Sequence, residues 1–151
     1  MPKLIDVEQL DVNSVERLFN IDERTSRVLV FSYPLVQDGP LGPACRVPFN
    51  GRVVAVKAYC LASGPKDTEI DVEVCKKTDF DATRVWTSTL SKRLVIHAGE
   101  TVDDGSAEIL ANSVVSGDFI RVNFVATGDD PTPLNANKVT NATIEVIVQT
   151  F

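Results

Sequence analysis

The side chains equipped for chemistry are few and scattered. His97 is the only histidine among 151 residues. A Ser-His-Asp triad or a histidine-based zinc site therefore lacks its usual base or ligand set, and His97 could act only with carboxylates or a cysteine. Its place at the end of an alternating stretch makes an outward-facing strand-end histidine the plainer expectation. Cys45, Cys60 and Cys75 are odd in number and far apart, so they predict neither a disulfide framework nor a CxxC zinc knuckle.

Carboxylates recur at Asp79/Asp81, Asp103/Asp104 and Asp129/Asp130. Hard loop oxygens of this kind suit Ca²⁺, but none has EF-hand spacing, and acidic loops also serve simply to keep a β protein soluble. A carboxylate pair for glycoside hydrolysis is defined by distance and not by spacing, so the sequence gives it no positive support. Tyr33, Tyr59 and Trp86 could stack against sugar rings, or equally pack as core and edge aromatics. The SGPKD stretch lacks Walker spacing and leads into a strand, not a helix. Asn141-Ala142-Thr143 matches a glycosylation acceptor, relevant only to a secreted chain. No catalytic, cofactor or metal site is expected, and hence no enzyme.

Composition narrows the partners. Fifteen basic against twenty-one acidic side chains give a net charge of −6, which opposes long-range attraction to nucleic acid or to anionic membranes. The opening MPKLIDVEQLDV has no basic start, apolar run and cleavage site, and no stretch approaches the ~20 apolar residues of a membrane span. The expectation is one soluble domain made in the cytosol.

The elements that must position these residues are strands. The chain is organised around residues 51 to 76, where GRVVAVKAYCLA and TEIDVEVCK predict two strands of one hairpin. In the second, Ile70, Val72 and Val74 alternate with Glu69, Asp71 and Glu73, a period of two. Cys60 is expected on the face of Val54, Val56 and Ala58, and Cys75 on that of the acids, so that in one sheet the sulfurs would point apart. RVLVFSY from Arg27 predicts a strand, and the Pro34, Gly39-Pro40 and Gly42-Pro43 punctuation predicts a loop. RLVIHAGE places Leu94 and Ile96 inward. AEILANSVV reads as a weaker strand, FIRVNFVAT sets Ile120, Val122, Phe124 and Ala126 on one face, and ATIEVIVQTF turns Ala142, Ile144, Val146 and Val148 inward. Together they predict an all-β, antiparallel β-sandwich, of jelly-roll type, over residues 27–151.

Residues 1–26 differ. Val15, Leu18 and Phe19 sit at helical spacing after possible caps at Asn13 or Ser14, which fits a short helix or an arm that folds back or reaches a neighbour. Val125 and Ile147 interrupt otherwise polar strand faces, and Leu29 with Phe31 competes with Val28 and Val30 for the core. Apolar residues on both faces predict that some outer surface is covered by another chain or by the arm. Val15, Leu18, Phe19, Val125 and Ile147 are thus the candidate partner-binding residues, with a homo-oligomer as the first partner.

VPFNGRVVAVKAYC (47–60), TEIDVEVCK (68–76), LVIHAGE (94–100) and SGDFIRVNFVAT (116–127) resemble a β-sandwich module of tailed-bacteriophage virion proteins. The carrying residues are Pro48-Phe49-Gly51, Ile70-Val72-Val74, Ile96-Ala98-Gly99 and Gly117-Asp118-Ile120-Val122, over about residues 47 to 151. The resemblance implies a capsid decoration or a tail-fibre or baseplate module, commonly trimeric, located in the virion. This chain lacks the long shaft of fibre members, so it looks more like a decoration (cement) protein whose partner is the major capsid protein or another virion protein. The alternative it implies is a carbohydrate- or receptor-binding tail module, with a glycan as ligand.

Overall fold

A computed structural model describes residues 26–110, 113–127 and 139–150. The expected arm, with Val15, Leu18 and Phe19, and the Asp129/Asp130 pair lie outside these residues. Along the described chain run β1 (Ser26–Leu35), β2 (Gly39–Arg46), β3 (Gly51–Tyr59), β4 (Thr68–Cys75), the one-turn helix α1 (Lys77–Phe80), β5 (Trp86–Ser88), β6 (Leu90–Lys92), β7 (Leu94–Ile96), β8 (Glu108–Ile109), β9 (Ser113–Val114), β10 (Phe119–Thr127) and β11 (Thr140–Thr150).

The architecture is the expected all-β, antiparallel sandwich. Sheet A has the order β1-β11-β3-β9. Sheet B has the order β2-β10-β4-β5, with β7 also on β4, and β6 pairs β8 apart from both. The inward rows match the sequence reading where no ladder is broken. Ile70, Val72 and Val74 of β4, Ile120, Val122 and Phe124 of β10, and Ala142, Ile144, Val146 and Val148 of β11 are all buried. Each such Val, Ile or Phe removed from water contributes about 1.5–3 kcal/mol, which is what presses the two layers together. Tyr33 of sheet A meets Phe124 of sheet B edge to face, with ring centroids 5.2 Å apart, and burial pushes its phenol up to about 12.

Three local expectations are corrected. Residues 51–76 are not a hairpin: β3 lies in sheet A and β4 in sheet B, so the intervening turn carries the chain across the sandwich. The 34–44 segment is not wholly loop, since β2 pairs β10 with a register break between Ile120 and Val122. Its prolines are tolerated because β2 is an edge strand, where a missing N–H costs no ladder bond. Bulges also reverse two facings. The shift between Ile147 and Val148 makes Val54 the unpaired residue, so that Val53, Val56, Ala58 and Cys60 are buried while Val54 is exposed. The shift between Phe124 and Ala126 sets Ala126 against Glu69 on the outer side.

Gly51 is required where β3 begins: a Cβ there would stand 2.5 Å from the Gln149 carbonyl oxygen. Gly117, at φ +98°, makes the turn into β10 that the Ser116-Gly117-Asp118 sequence predicts.

Candidate binding surfaces

The outer face of sheet A is set by the register of its three long strands. Val28, Ile147 and Ala55 lie side by side, followed by Val30, Glu145 and Lys57, then Ser32, Thr143 and Tyr59. Val102 bridges Tyr59 at the far side. Val28, Val30 and Val102 are 48%, 59% and 61% exposed, and Val54, Tyr59 and Leu61 are also in the open. Leu29 and Phe31 win the competition for the core, and Val28 and Val30 face out. Ile147 is half-buried in the middle of this face. Val125 instead sits exposed at the bulge of β10 in sheet B, so the structure does not bring these two candidates together.

The outer face of sheet B is covered by the chain's own segment 77–88. Phe80 of α1 stacks on Phe119 at 3.7 Å and meets Trp86 edge-on at 6.5 Å. The Arg84 guanidinium lies 4.4 Å from the centre of the Phe80 ring and that of Arg121 lies 4.1 Å from the Trp86 ring, while Arg121 Nε donates to Glu73 Oε1 at 2.8 Å. Beneath this cover Cys75 is fully buried. Asp118, only 1% exposed, fastens α1 to the turn before β10. It accepts from the backbone N–H of Lys77 and Val115 and from Lys76 Nζ at 3.0, 2.9 and 3.2 Å. Desolvation alone would raise its pKa, but these donors outweigh burial and hold the carboxyl below the usual range.

Beside that cover an open hollow of about 430 Å³ is lined by Glu69, Asp71, Ser88, Ser91, Lys92 and Arg93 among others. Asp71 is 6% exposed. Its Oδ1 accepts from the Val72 N–H at 2.9 Å and lies 2.5 Å from Ser88 Oγ. Ser88 Oγ is also 3.0 Å from the Leu90 carbonyl and accepts from the Leu90 N–H at 3.1 Å. Desolvation pushes the Asp71 carboxyl up, only partly opposed by Ser88 and Val72. Glu69 is tied to Arg93 at 3.7 Å and Glu73 to Arg121. Sequence reading missed this site because strict alternation marks Asp71 as solvent-facing, and nothing in the pattern signals that residues 86–93 fold over it.

His97 stands between two carboxylates. Nδ1 is 3.1 Å from Asp67 Oδ2 and Nε2 is 2.8 Å from Asp104 Oδ2. Ionised carboxylates only accept, so both ring nitrogens must donate and the imidazolium is the favoured form. The hydrogen bonds to Asp67 and then Asp104 raise the His97 pKa. Asp67 is lowered by the Ala98 N–H and by His97, and Asp104 by the Ser106 hydroxyl, the Ser106 N–H and His97. With both nitrogens engaged, none is left to take a proton from a hydroxyl or thiol, so the arrangement works as a clasp joining the β3–β4 and β7–β8 connections.

The three cysteines are free, and burial pushes each thiol up, away from the reactive range. Tyr33 lies in the core, Tyr59 on sheet A and Trp86 on sheet B, so no shared sugar-stacking platform forms. Asp103 accepts from the N–H groups of Ala58 and Gly105. Among the described residues no group of three or more His, Cys, Asp or Glu side chains could hold a metal ion. In comparisons with protein-family models, curated proteins and solved structures, nothing matches this chain.

Proposed function

We propose that this chain is a non-enzymatic bacteriophage virion structural protein, a capsid decoration (cement) protein that binds the assembled capsid as a homo-oligomer. Residues 1–26 serve as the attachment arm and the sandwich as an outward knob. The observation that carries this reading is the outer face of sheet A, where Val28, Val30, Val54, Tyr59 and Val102 are exposed among the described residues of an acidic chain; Val28 lies beside Ile147 and Ala55 there, and apolar residues gathered on one face support an interaction surface. The strand orders β1-β11-β3-β9 and β2-β10-β4, in which β1 to β4 alternate between the sheets and β10 and β11 fall one in each, support a jelly-roll winding, an architecture recurrent in capsid and lectin domains. The sequence resemblance to virion sandwich modules supports the same class and makes the oligomer a trimer.

Co-sedimentation of the full chain with assembled capsids tests it. Leu18→Asp with Phe19→Asp should leave a folded protein that no longer pellets; undiminished occupancy removes the arm from the account, and absence of capsid binding by the native chain removes the reading. A second reading, a receptor-binding tail module that takes a glycan, is favoured by the hollow around Asp71, whose Ser, Arg and carboxyl groups suit sugar hydroxyls. A glycan array without hits, with and without Ca²⁺, counts against it.

A further inference from the structure

The four sheet edges are defended unequally. A free edge offers unpaired N–H and C=O groups to any other strand, and stable monomers blunt it by shortness, proline, bulges, charge or cover. In sheet B, β2 carries Pro40 and Pro43 and a register break. The opposite edge of that sheet is made of β5 and β7, three residues each and end to end along β4, with the Thr89 N–H donating to the Val72 carbonyl between them. In sheet A, β9 is two residues long. The far end of that side of β3 is occupied by residues 101–103, through Cys60 N–H to the Thr101 carbonyl at 2.8 Å and Asp103 N–H to the Ala58 carbonyl at 3.0 Å.

β1 has little of this protection. It runs ten residues in unbroken register with β11, carries Arg27 as its only charge, and meets a proline only at Pro34 near its end. Among the described residues nothing pairs with its far side. Alongside that edge, between β1 and β2, lies a hollow of about 490 Å³ lined by Val30, Phe31, Tyr33, Pro34, Gly42 and Cys45 among others.

We propose that β1 pairs with β1 of a second copy of this chain, antiparallel about a two-fold axis at Val30, so that two copies of sheet A become one continuous sheet. The strand is its own complement. With the axis at Val30, even-numbered residues stay on the outer face in both copies and odd-numbered residues stay inward, whereas a shift by one residue would turn every partner side chain to the wrong face. Val30 then meets the partner's Val30, Val28 meets the partner's Ser32 and Leu29 meets the partner's Phe31. Arg27 falls opposite the partner's Tyr33, so no like charges oppose. The outward row of Val30, Glu145 and Lys57 runs on into its symmetry mate, the row of Val28, Ile147 and Ala55 runs on into the partner's Ser32, Thr143 and Tyr59, and a strand laid along β1 covers the hollow beside it. The joint does not rest on the virion reading: alone it gives a dimer, and combined with the three-fold association proposed above it gives a dimer of trimers.

Light scattering across a concentration range on the full chain tests this, together with Val30→Lys and Val30→Cys. The native chain should form assemblies with an even number of copies, and Val30→Lys should halve that number while leaving the melting temperature at dissociating concentrations unmoved, since Val30 points to solvent in the single chain. Ser32→Lys, equally exposed, serves if the first variant folds poorly. Under oxidised glutathione Val30→Cys should cross-link to a disulfide-bonded pair, because on-axis Cα atoms of antiparallel strands stand about 4.5–5.5 Å apart. Val28→Cys should not, since its symmetry mate lies about 13 Å away along the strand. A monomer or an odd-numbered assembly at every concentration, or an unchanged copy number in both lysine variants, overturns the joint. A trimer that still occupies capsids would overturn the joint alone; an even-numbered assembly that ignores capsids would instead overturn the virion reading.

Discussion

The two outer faces of the sandwich have opposite solutions to the same problem. Sheet B carries polar and aromatic groups outward and closes over them with its own chain, through the Phe80–Phe119 stack, the Arg121–Trp86 contact and the Asp118 fastening. Sheet A presents Val28, Val30, Val54, Tyr59 and Val102 with no segment of the described chain across them, and its β1 edge is unpaired. The association proposed above uses the second face.

Removing the cover of sheet B should give the largest effect. Phe80→Ala loses the stack on Phe119, the edge contact with Trp86 and the Arg84 contact; for this half-buried ring the expected loss is about 2 kcal/mol, read as a lower urea midpoint. Val28→Lys on sheet A should stay within about 0.5 kcal/mol in the same experiment. Equal losses at the two sites would erase the contrast between the faces.

Asp71→Asn probes the boundary of the cover. A carboxyl whose folded pKa is raised stabilises the fold only while protonated, and that contribution is lost as pH rises through the folded value. The variant should therefore melt higher than the native chain near pH 7, by less than Phe80→Ala lowers it, with the gain vanishing below about pH 4. A loss of stability at pH 7 would mean that the ionised form is the one the fold favours.

The smallest effect belongs to the exposed His97 clasp. Its histidine share is complete below about pH 6.5 and fades as pH rises through the raised folded value; its Asp67 and Asp104 shares are complete above about pH 4 and fade as pH falls through their lowered values. His97→Gln should flatten the melting profile between those limits and leave it unchanged near pH 9. An identical profile in the variant would make the clasp energetically silent.

What the sequence disclosed follows from where the ladders are regular. The inward row of β11 is legible because four apolar residues alternate without a break, the extra residue at the register shift falling on β3, and β7 is legible because Leu94 and Ile96 flank one outward Val95. β3 was misread at Val54 because a bulge changes facing without changing composition. β2 was hidden by the Gly and Pro residues that an edge strand tolerates. Ile147 and Val125 read alike in sequence, as interruptions of polar faces, and lie on different sheets. The burial of Asp71 depends on a distant segment crossing over β4, which no local period encodes.

Amide hydrogen exchange on the full chain at low and high concentration tests the asymmetry most directly. The account predicts that β1 amides pointing away from β11 gain protection as concentration rises, while those of α1 and β5 do not change. Protection gained over α1 and β5 with β1 unaffected would place association on the face the chain was argued to have closed.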